Sequence, residues 1–105
     1  MFNIACFKRV DMTKNKWTFI TNHAAVLTLL GHKEQLTSRE IALALDITER
    51  SVIRIIKDLE AARYVTKHKE GRVNRYTINE DLPLRRDDQR EIPVREFLQL
   101  ITRKM

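Results

Sequence analysis

Three basic side chains, Arg50, Arg54 and Lys57, lie along one side of the segment "ITERSVIRIIKDLE". Their spacing of three to four residues places them close together on one face of a helix. A row of guanidinium and ammonium groups can bind phosphate, and arginine can also pair with the O6 and N7 atoms of guanine. A solvated helix face carries the same residue types, so this segment alone leaves both interpretations open.

The residues around this segment predict a helix-turn-helix. Thr37-x-x-Glu40 is the pattern of a capping box and predicts the start of a short helix over "LTSREIALALD". Asp46 stands at the sharp turn, where aspartate tolerates a left-handed backbone better than most residues, and Thr48 can cap the next helix. That helix presents an apolar face at the spacing i, i+3, i+4 and i+7, formed by Val52, Ile55, Ile56 and Leu59.

The flanking segments complete a recognisable architecture. A preceding helix is predicted over "NHAAVLTLLGHK", with Thr21 or Asn22 as its cap and Gly31 near its end. After the helix-turn-helix, "YVTKHK" and "RVNRYTI" are β-prone runs that meet at Glu70-Gly71, which predicts a hairpin. The sequence therefore predicts a mainly α protein with a small β-hairpin (α+β): a winged helix-turn-helix with a three-helix core, a wing and a C-terminal amphipathic helix.

Three segments are expected along the chain. Residues 1–16 carry four basic residues and one acidic residue and are interpreted as an N-terminal basic arm. Residues 17–81 form the winged helix-turn-helix domain, and residues 82–105 form a connector and the last helix.

The apolar face of that helix must be covered by its own domain or by a second subunit. A homodimer is the preferred interpretation, through Val94, Phe97, Leu98 and Ile101.

The distribution of charge favours nucleic acid over a solvated helix face. The chain has 105 residues and a net charge of +6, and residues 63–76 contain five basic residues and one acidic residue. Ile53 adds to this interpretation, because an outward isoleucine gains nothing in water but can contact a thymine methyl group. The expected DNA contacts lie at the start of the third helix (about 49–62) and on the wing (64–78): Thr48, Arg50, Ser51, Ile53, Arg54, Lys57, Lys67, Lys69, Arg72 and Arg75.

Metal, cofactor and catalytic functions have little support in the sequence. The three histidines are scattered over separate elements, and Cys6 is the single cysteine. With two glycines in the whole chain there is no glycine-rich phosphate loop, so an enzyme is not expected.

No membrane-length apolar run and no signal peptide are evident, which favours a cytoplasmic protein. Trp17 and Phe19 are expected in the core rather than in a small-molecule pocket, and His23 is expected to cap or pack.

Residues 36–78 resemble the winged helix-turn-helix of small prokaryotic transcriptional regulators of the MarR and ArsR type. Similar stretches are "WTFITNHAAVL", "ITERSVIRIIKDLEAA", "RVNRYTIN" and "DLPLR", so the resemblance extends from Trp17 to about Arg85. It implies a homodimer that binds a pseudo-palindromic operator, with the third helix in the major groove and the wing outside it. By position it assigns DNA contact to the basic residues of the wing and to Thr48, Arg50, Ser51, Arg54 and Lys57.

The chain departs from this family pattern at three places. Similar proteins commonly have glycine where Arg63 and Asp46 stand, so the backbone at Arg63 is expected to be strained or differently closed. They usually continue after "DLPLR" with His-Pro, whereas this chain has Arg86-Asp87.

The expected function is that of a sequence-specific regulator that binds double-stranded DNA. The alternative is a winged-helix module for protein–protein interaction without DNA reading. RNA binding is less favoured, because the chain lacks the exposed aromatic platform of single-strand readers.

Overall fold

The computed structural model describes residues 17–33, 35–86, 88 and 91–102. The predicted basic arm, residues 1–16, lies outside the described residues. This part of the chain contains four helices and a two-stranded antiparallel hairpin, which confirms the predicted α+β winged helix-turn-helix architecture. In chain order the elements are α1 (Asn22–His32), α2 (Ser38–Leu45), α3 (Glu49–Ala61), β1 (Val65–Glu70), β2 (Val73–Ile78) and α4 (Val94–Thr102).

Helix α1 begins at a predicted cap and forms the centre of the core. The Thr21 hydroxyl accepts a hydrogen bond from the Ala24 N–H at 3.1 Å, which satisfies one of the free donors of the first turn. The buried residues of the helix are Val26, Leu27, Thr28, Leu29 and Leu30.

Gly31 lies near the end of α1, as predicted. The helix continues to His32, and Lys33 is its C-terminal cap. A Cβ atom at Gly31 would lie 3.1 Å from Cδ1 of Ile78 and 3.6 Å from the methyl groups of Leu98. Glycine at this position therefore allows β2 and α4 to approach the helix closely.

Helices α2 and α3 form the predicted helix-turn-helix. The Thr37 hydroxyl accepts a hydrogen bond from the Glu40 N–H at 3.1 Å, and the Glu40 carboxylate accepts one from the Thr37 N–H at 3.0 Å. The bond from the Thr37 N–H, and then the Thr37 hydroxyl, hold the pKa of the Glu40 carboxyl below its ordinary range. Asp46 adopts the left-handed backbone at the turn (φ 55°, ψ 47°), Ile47 packs against the core, and Thr48 caps α3.

Helix α3 ends in a left-handed cap formed by Arg63. The Arg63 N–H donates to the Glu60 carbonyl at 3.0 Å, and the Tyr64 N–H donates to the Leu59 carbonyl at 2.9 Å, which are the two bonds of a Schellman motif. Arg63 has a φ of 70°, a conformation that costs a non-glycine residue about 1–2 kcal/mol. The strained backbone expected at this departure from the family pattern is therefore observed.

The wing consists of β1, a two-residue turn and β2. Glu70 lies opposite Val73 at the end of the ladder, so the turn is formed by Gly71 and Arg72, one residue later than predicted. Gly71 has a φ of 62°, as the first position of a type II′ hairpin turn requires.

Helix α4 packs within the chain against α1. Val94 and Leu98 are buried there, at 1% and 5% exposure. The connector pairs antiparallel with the segment before α4: the Leu84 N–H donates to the Ile92 carbonyl and the Val94 N–H donates to the Leu82 carbonyl, both at 2.8 Å. The first turn of α4 is thereby fixed beside the connector that follows the wing.

Candidate nucleic-acid interface

The exposed side of α3 carries the residues predicted to contact bases. Arg50, Ile53, Arg54 and Lys57 are exposed, whereas the apolar residues on the opposite side of the helix are buried. Ile53 leaves 44% of its surface in contact with solvent. All four side chains are thus accessible to a ligand that lies against this side of the helix.

Thr48 and Ser51 are joined to each other at the start of α3. The Thr48 hydroxyl accepts a hydrogen bond from the Ser51 N–H at 3.1 Å and donates one to the Ser51 Oγ at 3.0 Å. The Ser51 hydroxyl therefore keeps its own hydrogen for an acceptor outside the helix. Thr48 is engaged in the cap and holds Ser51 in place.

The cations on α3 remain unneutralised within the part of the chain that the structure describes. None of Arg50, Arg54 and Lys57 forms an ion pair with a described carboxylate. Asp58 follows Arg54 by four residues, the spacing of a helical ion pair, yet its Oδ2 lies 2.8 Å from Nε2 of His23 in α1. The positive charge on the exposed side of α3 is therefore available to an anion.

The strand register places Lys67 and Lys69 on the face of the wing that is directed toward the domain. Lys67 lies opposite Tyr76, which is buried at 7% exposure, and side chains two residues apart on a strand share a face. Arg72 occupies the second position of the turn and is exposed. These three cations form no ion pair with any carboxylate that the structure describes.

Arg75 lies on the opposite face of the wing. Its Nη2 atom is 3.6 Å from Oε2 of Glu70, and its Nε is buried without a hydrogen-bond partner among the described residues. The register thus separates Arg75 from the other wing cations with which the sequence grouped it.

A groove runs between α3 and the wing. Lys57 lies on its α3 side, and Lys67 and Arg72 lie on its wing side. Toward the base of the wing, burial and then the negative charge of Glu60 raise the pKa of the Tyr76 hydroxyl. A groove with cations on both walls suits a polyanion.

Three neutral polar residues that the sequence analysis did not single out also line this groove: Gln35, Ser38 and Asn74. Asn74 precedes Tyr76 by two residues on β2, so strand alternation could have placed it on the groove side. Gln35 and Ser38 gave no comparable signal, because their position depends on how α2 packs beside the wing.

Trp17 and Phe19 are exposed, so the expectation that they belong to the core is wrong. Their exposures are 63% and 90%, and the rings meet edge to face with centroids 5.0 Å apart. The pair precedes Thr21, the cap of α1, and so lies outside the helix that forms the core. Phe19 lines a second cavity, on another side of the domain, together with Tyr64, Leu84 and Phe97.

The residues assigned to a dimer interface divide into two pairs. Val94 and Leu98 are buried inside their own domain, so they are not accessible to a second subunit. Phe97 and Ile101 are half-buried, and the neighbouring Leu100 is 61% exposed. A partner could contact α4 through these latter three side chains.

No group of three or more histidine, cysteine or acidic side chains among the described residues is arranged to hold a metal ion. None of the helices in this part of the chain is long and apolar enough to cross a membrane.

Comparison with known proteins agrees with this geometry. An uncharacterized protein of Methanocaldococcus jannaschii is 30% identical to the chain over 66 residues, which are 62% of this chain and 14% of that protein. The chain thus spans a small part of that relative's length. A model of the MarR family matches residues 18–75, more than half of the chain, which include α1, α2, α3 and most of the wing. The chain therefore belongs to the MarR family, a family of DNA-binding transcriptional regulators.

Proposed function

We propose that this chain is a sequence-specific transcriptional regulator that binds double-stranded DNA, with α3 in the major groove and the wing on the backbone or in the minor groove. The observation that carries the proposal is a set of cations on two neighbouring elements that form no ion pair with any carboxylate in the described part of the chain. They are Arg50, Arg54 and Lys57 on α3, and Lys67, Lys69 and Arg72 on the wing. Cations placed in this way can neutralise phosphates on both sides of an inserted helix.

The proposed contacts are of two kinds. Arg50 and Arg54 pair with guanine, Ile53 contacts a thymine methyl group, and Ser51 donates a hydrogen bond to a base or phosphate. Thr48 orients Ser51 through the cap, and the pairing of Arg75 with Glu70 gives Arg75 a role in shaping the wing. The phosphate contacts are Lys57, Lys67, Lys69 and Arg72.

The proposal includes a homodimer. Residues 17–81 serve as the DNA-binding domain, and residues 82–105 serve as the connector and the dimerisation helix. Two copies of a helix-turn-helix read two half-sites when they are held about one helical turn apart. The contact surface is the exposed side of α4 with Phe97, Leu100 and Ile101.

A second candidate function is a protein–protein interaction module, which the exposed aromatic pair favours. Trp17 and Phe19 are exposed, and Phe19 lines a cavity. Aromatic side chains are enriched at protein interfaces. In that case Lys69→Glu leaves function intact, whereas Phe19→Asp abolishes it.

The proposed roles are tested with a duplex selected from a random library and with a shuffled duplex of the same composition. We expect Arg50→Ala or Arg54→Ala to weaken binding to the selected duplex by about 1–3 kcal/mol, and to the shuffled duplex much less. Lys69→Ala or Arg72→Ala should weaken both duplexes alike and reduce the salt dependence. Identical effects of all four variants on every duplex would refute the division of roles, and failure to enrich any sequence would refute sequence specificity.

A further inference from the structure

The groove between α3 and the wing has a chemistry that its cations alone do not explain. The neutral polar residues Gln35, Ser38 and Asn74 and the apolar Ile53 also line it. Ile53 is 44% exposed. Cationic, neutral polar and exposed apolar residues thus line one channel.

This mixture matches the surface of a sugar–phosphate backbone. Each phosphate presents anionic oxygens that accept hydrogen bonds from ammonium, guanidinium and amide groups, and the deoxyribose between phosphates is largely apolar. The inner end of the groove is unsuited to phosphate, because the carboxylate of Glu60 lies close to Tyr76. Arg72, Val73 and Asn74 stand at the other end, at and beside the wing tip.

We propose that one strand of the duplex passes through the outer part of this groove, and that Gln35, Ser38 and Asn74 hold its backbone in place with neutral hydrogen bonds. This inference rests on the proposed function, since it assumes that the chain binds duplex DNA. Lys57 and Arg72 neutralise the flanking phosphates. The neutral residues fix the position of the strand and so the depth at which α3 enters the major groove.

The salt dependence of binding distinguishes this arrangement from a purely electrostatic one. Loss of a cation that contacts phosphate lowers the slope of log affinity against log salt by about 0.9, because one counterion fewer is released. Loss of a neutral donor removes a hydrogen bond to a charged group and releases no counterion. The two kinds of residue therefore differ in salt slope even where they change affinity equally.

The test uses the full chain and a double variant, Gln35→Ala with Asn74→Ala. Both residues are exposed, so the fold is not at risk. The matched control is Thr77→Ala, an exposed neutral residue on the opposite face of β2. Binding to a fixed duplex is measured by fluorescence anisotropy at several salt concentrations, beside Arg72→Ala and the unaltered chain.

We expect the double variant to lose about tenfold or more in affinity on any duplex, with the salt slope of the unaltered chain. Arg72→Ala should lower the slope by about 0.9, and Thr77→Ala should change neither quantity. A double variant that binds as tightly as the unaltered chain, or one that changes the slope, would overturn the groove assignment while the proposed function stands. Absence of duplex binding by the unaltered chain would overturn both.

Discussion

The carboxylate of Asp58 in α3 lies 2.8 Å from the imidazole Nε2 of His23 at the start of α1, 35 residues away in the chain. Asp58 also follows Arg54 by four residues and so has a potential partner on its own helix. The contact with His23 draws the carboxylate toward α1 and leaves the guanidinium of Arg54 without an acidic partner among the described residues. A residue at the start of the first helix thus maintains the positive charge of α3.

Replacement of His23 by alanine should free Asp58 to pair with Arg54. A helical ion pair of this spacing contributes about 0.2–0.5 kcal/mol, so we expect duplex affinity to fall about twofold. Because both side chains of the His23–Asp58 pair are about half exposed, the free energy of unfolding should change by less than about 1 kcal/mol. A double-mutant cycle measured by anisotropy checks the mechanism. Asp58→Asn should raise affinity more in the His23→Ala chain than in the unaltered chain, and equal effects in both would contradict it.

Arg63→Gly should stabilise the fold. The left-handed φ of 70° costs arginine about 1–2 kcal/mol, whereas glycine adopts it freely and loses part of that gain through its more flexible unfolded chain. The expected net gain in the free energy of unfolding is roughly 1 kcal/mol, measured by urea denaturation. Arg63→Ala is the matched control, because it removes the same side chain and keeps the strain. If the glycine and alanine variants are equally stable, the cap does not store strain.

The capping box of α2 should make stability depend on acid pH. The pKa of Glu40 is lowered in the folded chain by hydrogen bonds from the Thr37 N–H and hydroxyl. The contribution of this carboxylate to the free energy of unfolding is therefore fully present above the ordinary glutamate pKa of 4.5. That contribution is lost as the pH falls below this value and through the folded pKa. Glu40→Gln retains an oxygen that accepts the Thr37 N–H but does not titrate. The stability difference between the unaltered chain and Glu40→Gln should therefore shrink on acidification, and a difference that stays constant or grows would be the contrary result.

The proposed dimer depends on the outer side of α4. Leu100 is 61% exposed, so Leu100→Asp should shift sedimentation from dimer to monomer without lowering the unfolding midpoint. Leu98→Asp should instead unfold the domain, because Leu98 is buried beside Gly31. Gln99→Asp, an exposed position on the same helix, is the control and should remain dimeric. An unaltered chain that sediments as a monomer at all concentrations would rule out this interface.

The features that could be predicted from the sequence depend on contacts between residues a few positions apart. The capping box of Thr37 and Glu40, the Thr48 cap and the left-handed Asp46 all involve residues within about four positions of each other. The exposed side of α3 also follows from helical period alone. The α3 part of the candidate site could therefore be predicted from the sequence.

The features that could not be predicted depend on how distant elements meet. The position of Gly31 near the end of α1 was predicted, but the close approach of Ile78 and Leu98 to it was not. The predicted hairpin tip was one residue early, so the predicted register places Lys67 opposite Asn74, whereas the structure places it opposite Tyr76. Strand alternation places Arg75 on the face opposite Lys67 in either register, so the grouping of Arg75 with the other wing cations rested on charge alone.

Duplex affinity as a function of salt concentration tests the proposed function most directly. Fluorescence anisotropy of a labelled random duplex is recorded at several salt concentrations, with a single strand of the same length as control. Six exposed cations lie on α3 and the wing. If they bind DNA, log affinity should fall linearly with log salt concentration, by about 0.9 for each phosphate neutralised. The single strand should bind more weakly. No duplex binding at low salt, or equal binding to the single strand, would contradict a surface built for double-stranded DNA.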